Sequence, residues 1–106
     1  MSNINKMVTR TQIIKQIEKN ADKIRSFGVS RLILIGSYAT GKQKNRSDID
    51  FIVEFNKKRG LFDDYINLLH FLEDLFNKKI DLVEKNLIRE ELRSHIFGGK
   101  KIEAKI

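Results

Sequence analysis

The sequence predicts one α/β (α+β) domain in which helices pack on a small mixed β-sheet. Short apolar runs that are typical of buried strands alternate with longer segments of helical periodicity. Glycine or polar residues bound most of these segments. The chain has 106 residues, of which 41% are hydrophobic, enough for one modest core. We therefore expect residues 1–106 to form a single domain.

The first helix is predicted over Thr11 to Phe27, where Thr9 or Thr11 can cap its start and Gly28 follows its end. Its apolar face consists of Ile13, Ile14, Ile17, Ala21 and Ile24. The next segment, Arg31 to Ile35, is short and apolar, so it predicts a buried first strand.

A second strand is predicted over Asp48 to Phe55, after a polar stretch that begins at Gly36. Beyond a basic loop, apolar residues at helical spacing from Leu61 to Phe76 predict a long helix that covers the sheet. A third strand follows over Lys79 to Glu84.

The last part of the chain predicts a shorter helix and an edge strand. The helix runs from Leu87 to Phe97, with Asn86 as its cap and Gly98-Gly99 at its end. The residues Ile102 to Ile106 can add a strand at the edge of the sheet.

Charge and composition restrict the function classes. The net charge of +7 and a pI near 9.8 favour binding of polyanions, which include nucleic acid, nucleotide triphosphates and acidic partners. Genome bias or heat adaptation gives the same composition. The absence of cysteine excludes disulfides and thiolate metal sites. Neither a membrane-spanning apolar run nor a signal-peptide core is present, so a cytoplasmic protein without membrane contact is expected.

Paired carboxylates are the central chemical feature. Because side chains alternate along a strand, Asp48 and Asp50 point the same way while Ile49 and Phe51 point into the core. Two adjacent carboxylates repel, and hard oxygen ligands at this spacing suit Mg²⁺. Asp81 interrupts the apolar third strand, where burial without a partner would be costly. If the two strands are neighbours, three carboxylates converge and can bind two Mg²⁺ ions.

A Gly-Ser pair precedes the carboxylates. Ser37 follows the first strand after Gly36 and can cap a short helix through Tyr38, Ala39 and Thr40, leaving backbone N–H groups free for phosphate. Gly36 permits close approach of a phosphate to the backbone.

A P-loop is the rival interpretation, since Gly36 to Lys42 matches G-x-x-x-x-G-K after a strand. A P-loop needs Ser or Thr at the next position and a long helix after it. Here Gln43 follows, and the chain continues into a predicted strand.

The combination of Gly36-Ser37, Asp48-Ile49-Asp50 and a later Asp81 resembles the nucleotidyltransferase superfamily of DNA polymerase β-like folds. Within it, the ten-residue gap and the small size resemble the minimal nucleotidyltransferase (MNT) antitoxins, whose partners are HEPN-type toxins. The resemblance covers residues 31–102, including the segments 60–63 and 79–83.

The resemblance implies a polymerase β palm-like fold and a magnesium-dependent nucleotidyltransferase. It implies that Asp48, Asp50 and Asp81 are the catalytic residues and bind Mg²⁺, and that Gly36 and Ser37 bind the phosphates of ATP. It also implies transfer of AMP from ATP to a tyrosine of a HEPN-type toxin. We expect no acceptor-binding helical domain after the sheet, and we therefore expect the acceptor on another chain or another copy. A homo-oligomer stays open.

Two other functions stay open on the sequence. A non-catalytic antitoxin could neutralise its partner by contact alone, and nucleotidyl transfer to a small molecule is a third candidate. Direct nucleic-acid binding is not expected, because the aromatic residues Phe62, Tyr65, Phe71 and Phe76 follow helical spacing and are assigned to the core or its flank.

The remaining polar candidates each have a structural alternative. Lys42, Lys44 and Arg46 could neutralise a triphosphate or form a solvated loop. Tyr38 is assigned to a pocket wall, not to catalysis. His70 and His95 lie in predicted helices and are assigned structural or exposed positions.

Overall fold

The computed structural model describes residues 8–88, 91 and 99–106. Its elements are α1 (Arg10–Lys19), α2 (Ala21–Ser26), β1 (Val29–Ile35), α3 (Gly36–Thr40), β2 (Ile49–Phe55), α4 (Phe62–Phe76), β3 (Ile80–Glu84), a 3₁₀ turn (Lys85–Leu87) and β4 (Ile102–Glu103). Across these ranges, no helix combines the length and apolar character that crossing a membrane requires.

The four strands form one mixed sheet in the order β3-β2-β1-β4. β1 pairs antiparallel with β2 and with β4, whereas β2 and β3 are parallel. A parallel pair needs a crossover connection, and α4 supplies it between β2 and β3. The predicted α/β class, the mixed sheet and the edge strand are confirmed, although β4 is only two residues long.

The predicted first helix is divided into two. Thr9 caps α1 through a reciprocal capping box with Gln12. At Asn20 the backbone leaves helical geometry, and the side-chain amide donates to the Gln16 carbonyl oxygen. An Asn side chain that bonds to nearby backbone competes with the helical ladder, which explains the break. Gly28, at φ +83, then reverses the chain into β1.

One face of the sheet packs against the helices. Its strands contribute apolar residues to a core that also contains Leu68, Leu72 and Phe76 of α4. These three lie four residues apart, as one helical face requires. The predicted face extended further, but Leu61 and Phe62 are 75% and 76% exposed, so the start of α4 does not pack on the sheet.

The second face of the sheet has three rows of side chains. The strand register places Ile35, Asp50 and Asp81 in one row and Ile33, Ile52 and Val83 in the next. Ile33 and Ile52 are buried under Ile88, whereas Ile35 and Val83 are partly exposed. The carboxylate row therefore borders an aliphatic band.

The third row is a charged network in which Arg31 contacts Glu54 and Glu103, and Lys85 contacts Glu54.

The predicted helix over Leu87 to Phe97 differs at its start, because Leu87 ends a 3₁₀ turn and Ile88 has extended backbone. Most of that helix, and His95 with it, lies outside the described residues. His70 is exposed on α4, in agreement with its predicted position.

Candidate functional site

The strand register brings two of the predicted site residues side by side. Asp50 of β2 pairs with Asp81 of β3 in the parallel ladder. Neighbouring strands lie about 4.8 Å apart, and paired residues project on the same side of a sheet. The condition for convergence of the carboxylates, that the second and third strands are neighbours, is therefore met.

Asp48 stands one residue before β2, which begins at Ile49 and not at Asp48 as predicted. It is partly exposed, and its charge acts on Asp50. Ile49 and Phe51 are fully buried in the core on the helix-covered face. The predicted alternation, with carboxylates on one side and apolar residues on the other, is thus present.

The carboxyl group of Asp50 has an unusual pKa. Burial raises this pKa from its ordinary value of 3.8, and the charges of Asp81 and Asp48 raise it further, to about 6. Each cause disfavours a bare negative charge at this position. A bound cation would remove the repulsion, so the electrostatics suit a hard metal ion.

Gly36 lies directly against this carboxylate. Its φ is +76, and a Cβ atom built on it would stand 2.2 Å from Oδ2 of Asp50. The antiparallel pairing of Ile35 with Asp50 causes this approach, because it holds the end of β1 beside the start of β2. The Gly-Ser pair and the carboxylates, eleven or more residues apart in sequence, meet in one place.

Ser37 does not cap α3, contrary to the prediction. The cap position is Ile35, so Gly36 and Ser37 are the first two residues of the helix. The Ser37 carbonyl oxygen accepts hydrogen bonds from Thr40 Oγ1 at 3.1 Å and from Lys42 N at 2.9 Å. Its side chain is partly exposed in the first turn of α3, beside the carboxylates.

Asp81 is exposed, which corrects the prediction that its carboxylate needs a partner to offset burial. Asp81 lies beside Asp50 because their strands pair in this register, and the charge of Asp81 raises the pKa of Asp50. In residues 8–88, 91 and 99–106, no three or more His, Cys, Asp or Glu side chains form a ready-made metal site. Mg²⁺ commonly binds through one or two carboxylates together with substrate phosphates, so the residues still fit this ion.

Tyr38 belongs to the core and is not a pocket wall as predicted. It is 1% exposed, and its hydroxyl is buried without a hydrogen-bond partner among the described residues. The Lys78 ammonium lies 5.9 Å from the centroid of its ring and donates to the Asn45 carbonyl oxygen at 2.8 Å. Lys78 thus fixes the loop before β2, a role that sequence analysis missed although Lys78-Lys79 directly precedes β3.

The loop that joins α3 to β2 contains Lys42, Lys44 and Arg46, all exposed. Their exposure agrees with either predicted role. The length of α3 excludes a P-loop, because the helix has only five residues and its C-cap, Gly41, lies in the left-handed region. A P-loop requires a long helix at this point.

Comparison with known proteins agrees with this geometry. The family described as polymerase beta, nucleotidyltransferase, matches residues 11–105. The protein adenylyltransferase MntA of Thermococcus cleftensis is 32% identical over 92 residues, which are 86% of this chain and 92% of that protein. A Methanocaldococcus jannaschii protein, provisionally named a protein adenylyltransferase, is 38% identical over 78 residues, or 71% of this chain and 78% of that one.

Solved structures share the fold. One, provisionally described as a minimal nucleotidyltransferase, has a TM-score of 0.74 at 25% identity and covers 88% of this chain and 94% of that chain. A toxin-antitoxin crystal structure with AMP-PNP has a TM-score of 0.63 at 21% identity, over 92% and 73% of the two chains. A structure of a tri-AMPylated Shewanella oneidensis HEPN toxin in complex with an MNT antitoxin has a TM-score of 0.59 at 18% identity. The match covers 87% of this chain and 71% of that chain.

The family match covers most of the chain, and relatives above 30% identity extend over more than two thirds of it. The chain belongs to the polymerase beta nucleotidyltransferase family.

Proposed function

We propose that this chain transfers AMP from ATP to a hydroxyl group of a partner protein, a tyrosine of a HEPN-type toxin, and so acts as an antitoxin. The observation that carries the proposal is that Gly36, Asp50 and Asp81 lie together where β1 ends and where β2 and β3 begin. Support for the partner comes from relatives named protein adenylyltransferases and from the toxin-antitoxin structures that share the fold.

The carboxylates would hold magnesium in this scheme. Asp48, Asp50 and Asp81 supply hard oxygen ligands. Burial and the charges of Asp81 and Asp48 raise the pKa of Asp50, and a bound cation would offset both causes. Mg²⁺, with two ions expected, would neutralise charge on the phosphates of bound ATP. The contribution of the chain itself is to keep Asp50 and Asp81 on adjacent strands of a rigid sheet, with Asp48 one residue before β2.

The Gly-Ser segment would position the triphosphate. Gly36 has no side chain between its backbone and the Asp50 carboxylate, so a phosphate can approach both. The partly exposed Ser37 hydroxyl can donate to a phosphate oxygen. Exposed Lys42, Lys44 and Arg46 on the following loop add positive charge that attracts ATP.

Asp81 would act on the acceptor. Because it is exposed in the same row as Asp50, an incoming tyrosine hydroxyl can donate a hydrogen bond to its carboxylate. In the transfer, the acceptor oxygen bonds to the α-phosphorus, the bond between that phosphorus and the bridging oxygen breaks, and pyrophosphate leaves. The hydroxyl proton is released towards Asp81. The protein supplies orientation and electrostatics and forms no covalent intermediate.

The experiment is incubation of the purified chain with Mg²⁺, ATP and a HEPN-type partner, followed by intact-mass analysis of both proteins. We expect the partner to gain the mass of one or more AMP groups, and Asp50→Asn to abolish this gain. Asp74→Asn is the matched control, because Asp74 is an exposed carboxylate on α4, which covers the opposite face of the sheet. An unmodified partner in a stable wild-type complex would refute the catalytic proposal.

A second candidate, neutralisation by contact alone, is favoured by a separate observation. Leu61 and Phe62, which are adjacent in sequence, are 75% and 76% exposed, and contiguous exposed apolar side chains are typical of protein interfaces. The two candidates differ in a variant with alanine at Asp48, Asp50 and Asp81. Loss of protection while the complex still forms supports catalysis, and retained protection supports neutralisation by contact.

A further inference from the structure

Arg10, the first residue of α1, contacts α3. Its Nη1 atom donates to the Ala39 carbonyl oxygen at 2.9 Å in a partly buried position. Ala39 lies near the end of α3 and is fully buried. Next to this contact, Gln43 Nε2 donates to the Val8 carbonyl oxygen at 3.2 Å. The start of α1 therefore holds both α3 and the loop that follows it.

The placement of Arg10 is explained by α3 and not by α1. A cation in the first turn of a helix opposes the positive end of the helix dipole, and the first turn of α1 has no acidic residue to offset it. The guanidinium reaches instead to a carbonyl in the last turn of α3, where unpaired carbonyls attract a cation.

Movement of Ala39 would also move the Gly-Ser pair. With a rise of about 1.5 Å per residue, the three steps from Gly36 to Ala39 span about 4.5 Å. Hydrogen bonds from Thr40 Oγ1 and Lys42 N to the Ser37 carbonyl oxygen tie the two ends of this short helix together. A force at Ala39 is thus transmitted to Gly36, which packs against Asp50.

We propose that Arg10 is a positioning residue, which fixes Gly36 and Ser37 against Asp50 and thereby sets the affinity of the chain for its nucleotide. Arg10 acts through Ala39 and does not touch the nucleotide. The inference rests on the proposed function, because it takes the Gly36-Ser37 segment as the binding site for the ATP phosphates.

The test is calorimetric titration of the full chain with AMP-PNP and Mg²⁺, below the unfolding temperature of every variant. Arg10→Met removes a charge-assisted hydrogen bond, so we expect about tenfold weaker binding. Arg10→Lys keeps a charged donor and should recover most of the affinity. Lys15→Met is the matched control, because Lys15 is exposed on the same helix, carries the same charge and should leave binding unchanged.

Steady-state kinetics distinguish positioning from a general loss of structure. Positioning predicts that Arg10→Met raises the KM for ATP and leaves the KM for the acceptor unchanged, whereas partial unfolding lowers kcat alone. Equal affinity of wild type and Arg10→Met overturns the inference, and if Arg10→Met does not fold, equal affinity of Arg10→Gln does so. Absence of AMP-PNP binding to the wild type would refute the nucleotide site itself, and the inference with it.

Discussion

The backbone of Gly36 and the carboxylate of Asp50 lie so close together that no side chain fits between them. A Cβ atom on Gly36 would be 2.2 Å from Asp50 Oδ2, and the φ of +76 independently disfavours any other residue. Two separate constraints thus require glycine at this position. Gly36 must be glycine because the carboxylate of Asp50, fourteen residues later in the sequence, lies against its backbone.

Gly36→Ala should reduce nucleotidyl transfer at least about a hundredfold, because the methyl group displaces the Asp50 carboxylate and small misplacements are costly in catalysis. Left-handed backbone adds a folding cost of about 1 to 2 kcal/mol. Transfer rates and urea denaturation measure the two effects.

Two other glycines separate these effects. Gly41 has a φ of +80 but its nearest neighbour would be 4.0 Å from a Cβ, whereas Gly99 has nothing within 4 Å. Gly41→Ala should therefore lose stability without the clash, and Gly99→Ala should lose neither stability nor activity. Equal activity of Gly36→Ala and Gly41→Ala would show that the contact with Asp50 does not matter.

Asp50→Asn should stabilise the metal-free protein while abolishing transfer. Burial and the charges of Asp81 and Asp48 all act against an ionised Asp50, and a neutral amide removes this cost. We expect the free energy of unfolding at pH 7.5 in EDTA to rise by about 1 kcal/mol, a value that allows for solvent screening. Asp74→Asn should leave it unchanged, and a destabilised Asp50→Asn would contradict the electrostatic account.

The Asp64–Arg59 ion pair should confer a pH-dependent stability. Arg59 Nε and Nη2 donate to the two Asp64 carboxylate oxygens, the Gly60 N–H donates to one of them, and the pKa of Asp64 is lowered from 3.8 to about 2. A lowered folded-state pKa gives stability that is present above pH 3.8 and is lost as the pH falls through about 2.

Asp64→Asn should consequently lower the Tm at pH 7, and the difference from wild type should shrink between pH 4 and pH 2. Circular dichroism melts across this range measure it. The neighbouring Asp63→Asn, an exposed residue in the same helical turn, serves as the control. A Tm difference for Asp64→Asn that does not change with pH would contradict the assigned pKa.

Tyr38→Phe should retain or slightly raise the stability of the protein. The hydroxyl is buried without a partner in the described residues, so its removal loses no hydrogen bond and relieves a desolvation cost of about 1 kcal/mol. Tyr38→Ala should lose about 3 kcal/mol or more, because it leaves a cavity in the core. A loss above about 1 kcal/mol in Tyr38→Phe would indicate a bound water that pairs the hydroxyl.

Local sequence signals predicted the elements because they depend on neighbouring residues. The apolar run before Gly36 and the alternation around Asp48 and Asp50 identified two strands within one or two residues of their bounds. The failures occurred where a local competitor or a distant contact decided the result. Asn20 interrupted a periodic helix. Phe62 continues the apolar face of α4 in the sequence pattern, but its side chain is exposed and does not pack on the sheet.

By itself, the sequence determined the α/β class, the order of the elements as far as the third strand, and the three carboxylates, since periodicity and residue chemistry are properties of the chain. Only the tertiary structure decided that Asp50 pairs with Asp81, that Gly36 abuts Asp50, and that Arg10 holds Ala39. Strand register and packing between distant segments set these contacts. They are determined by the balance of the whole core, which no local pattern encodes.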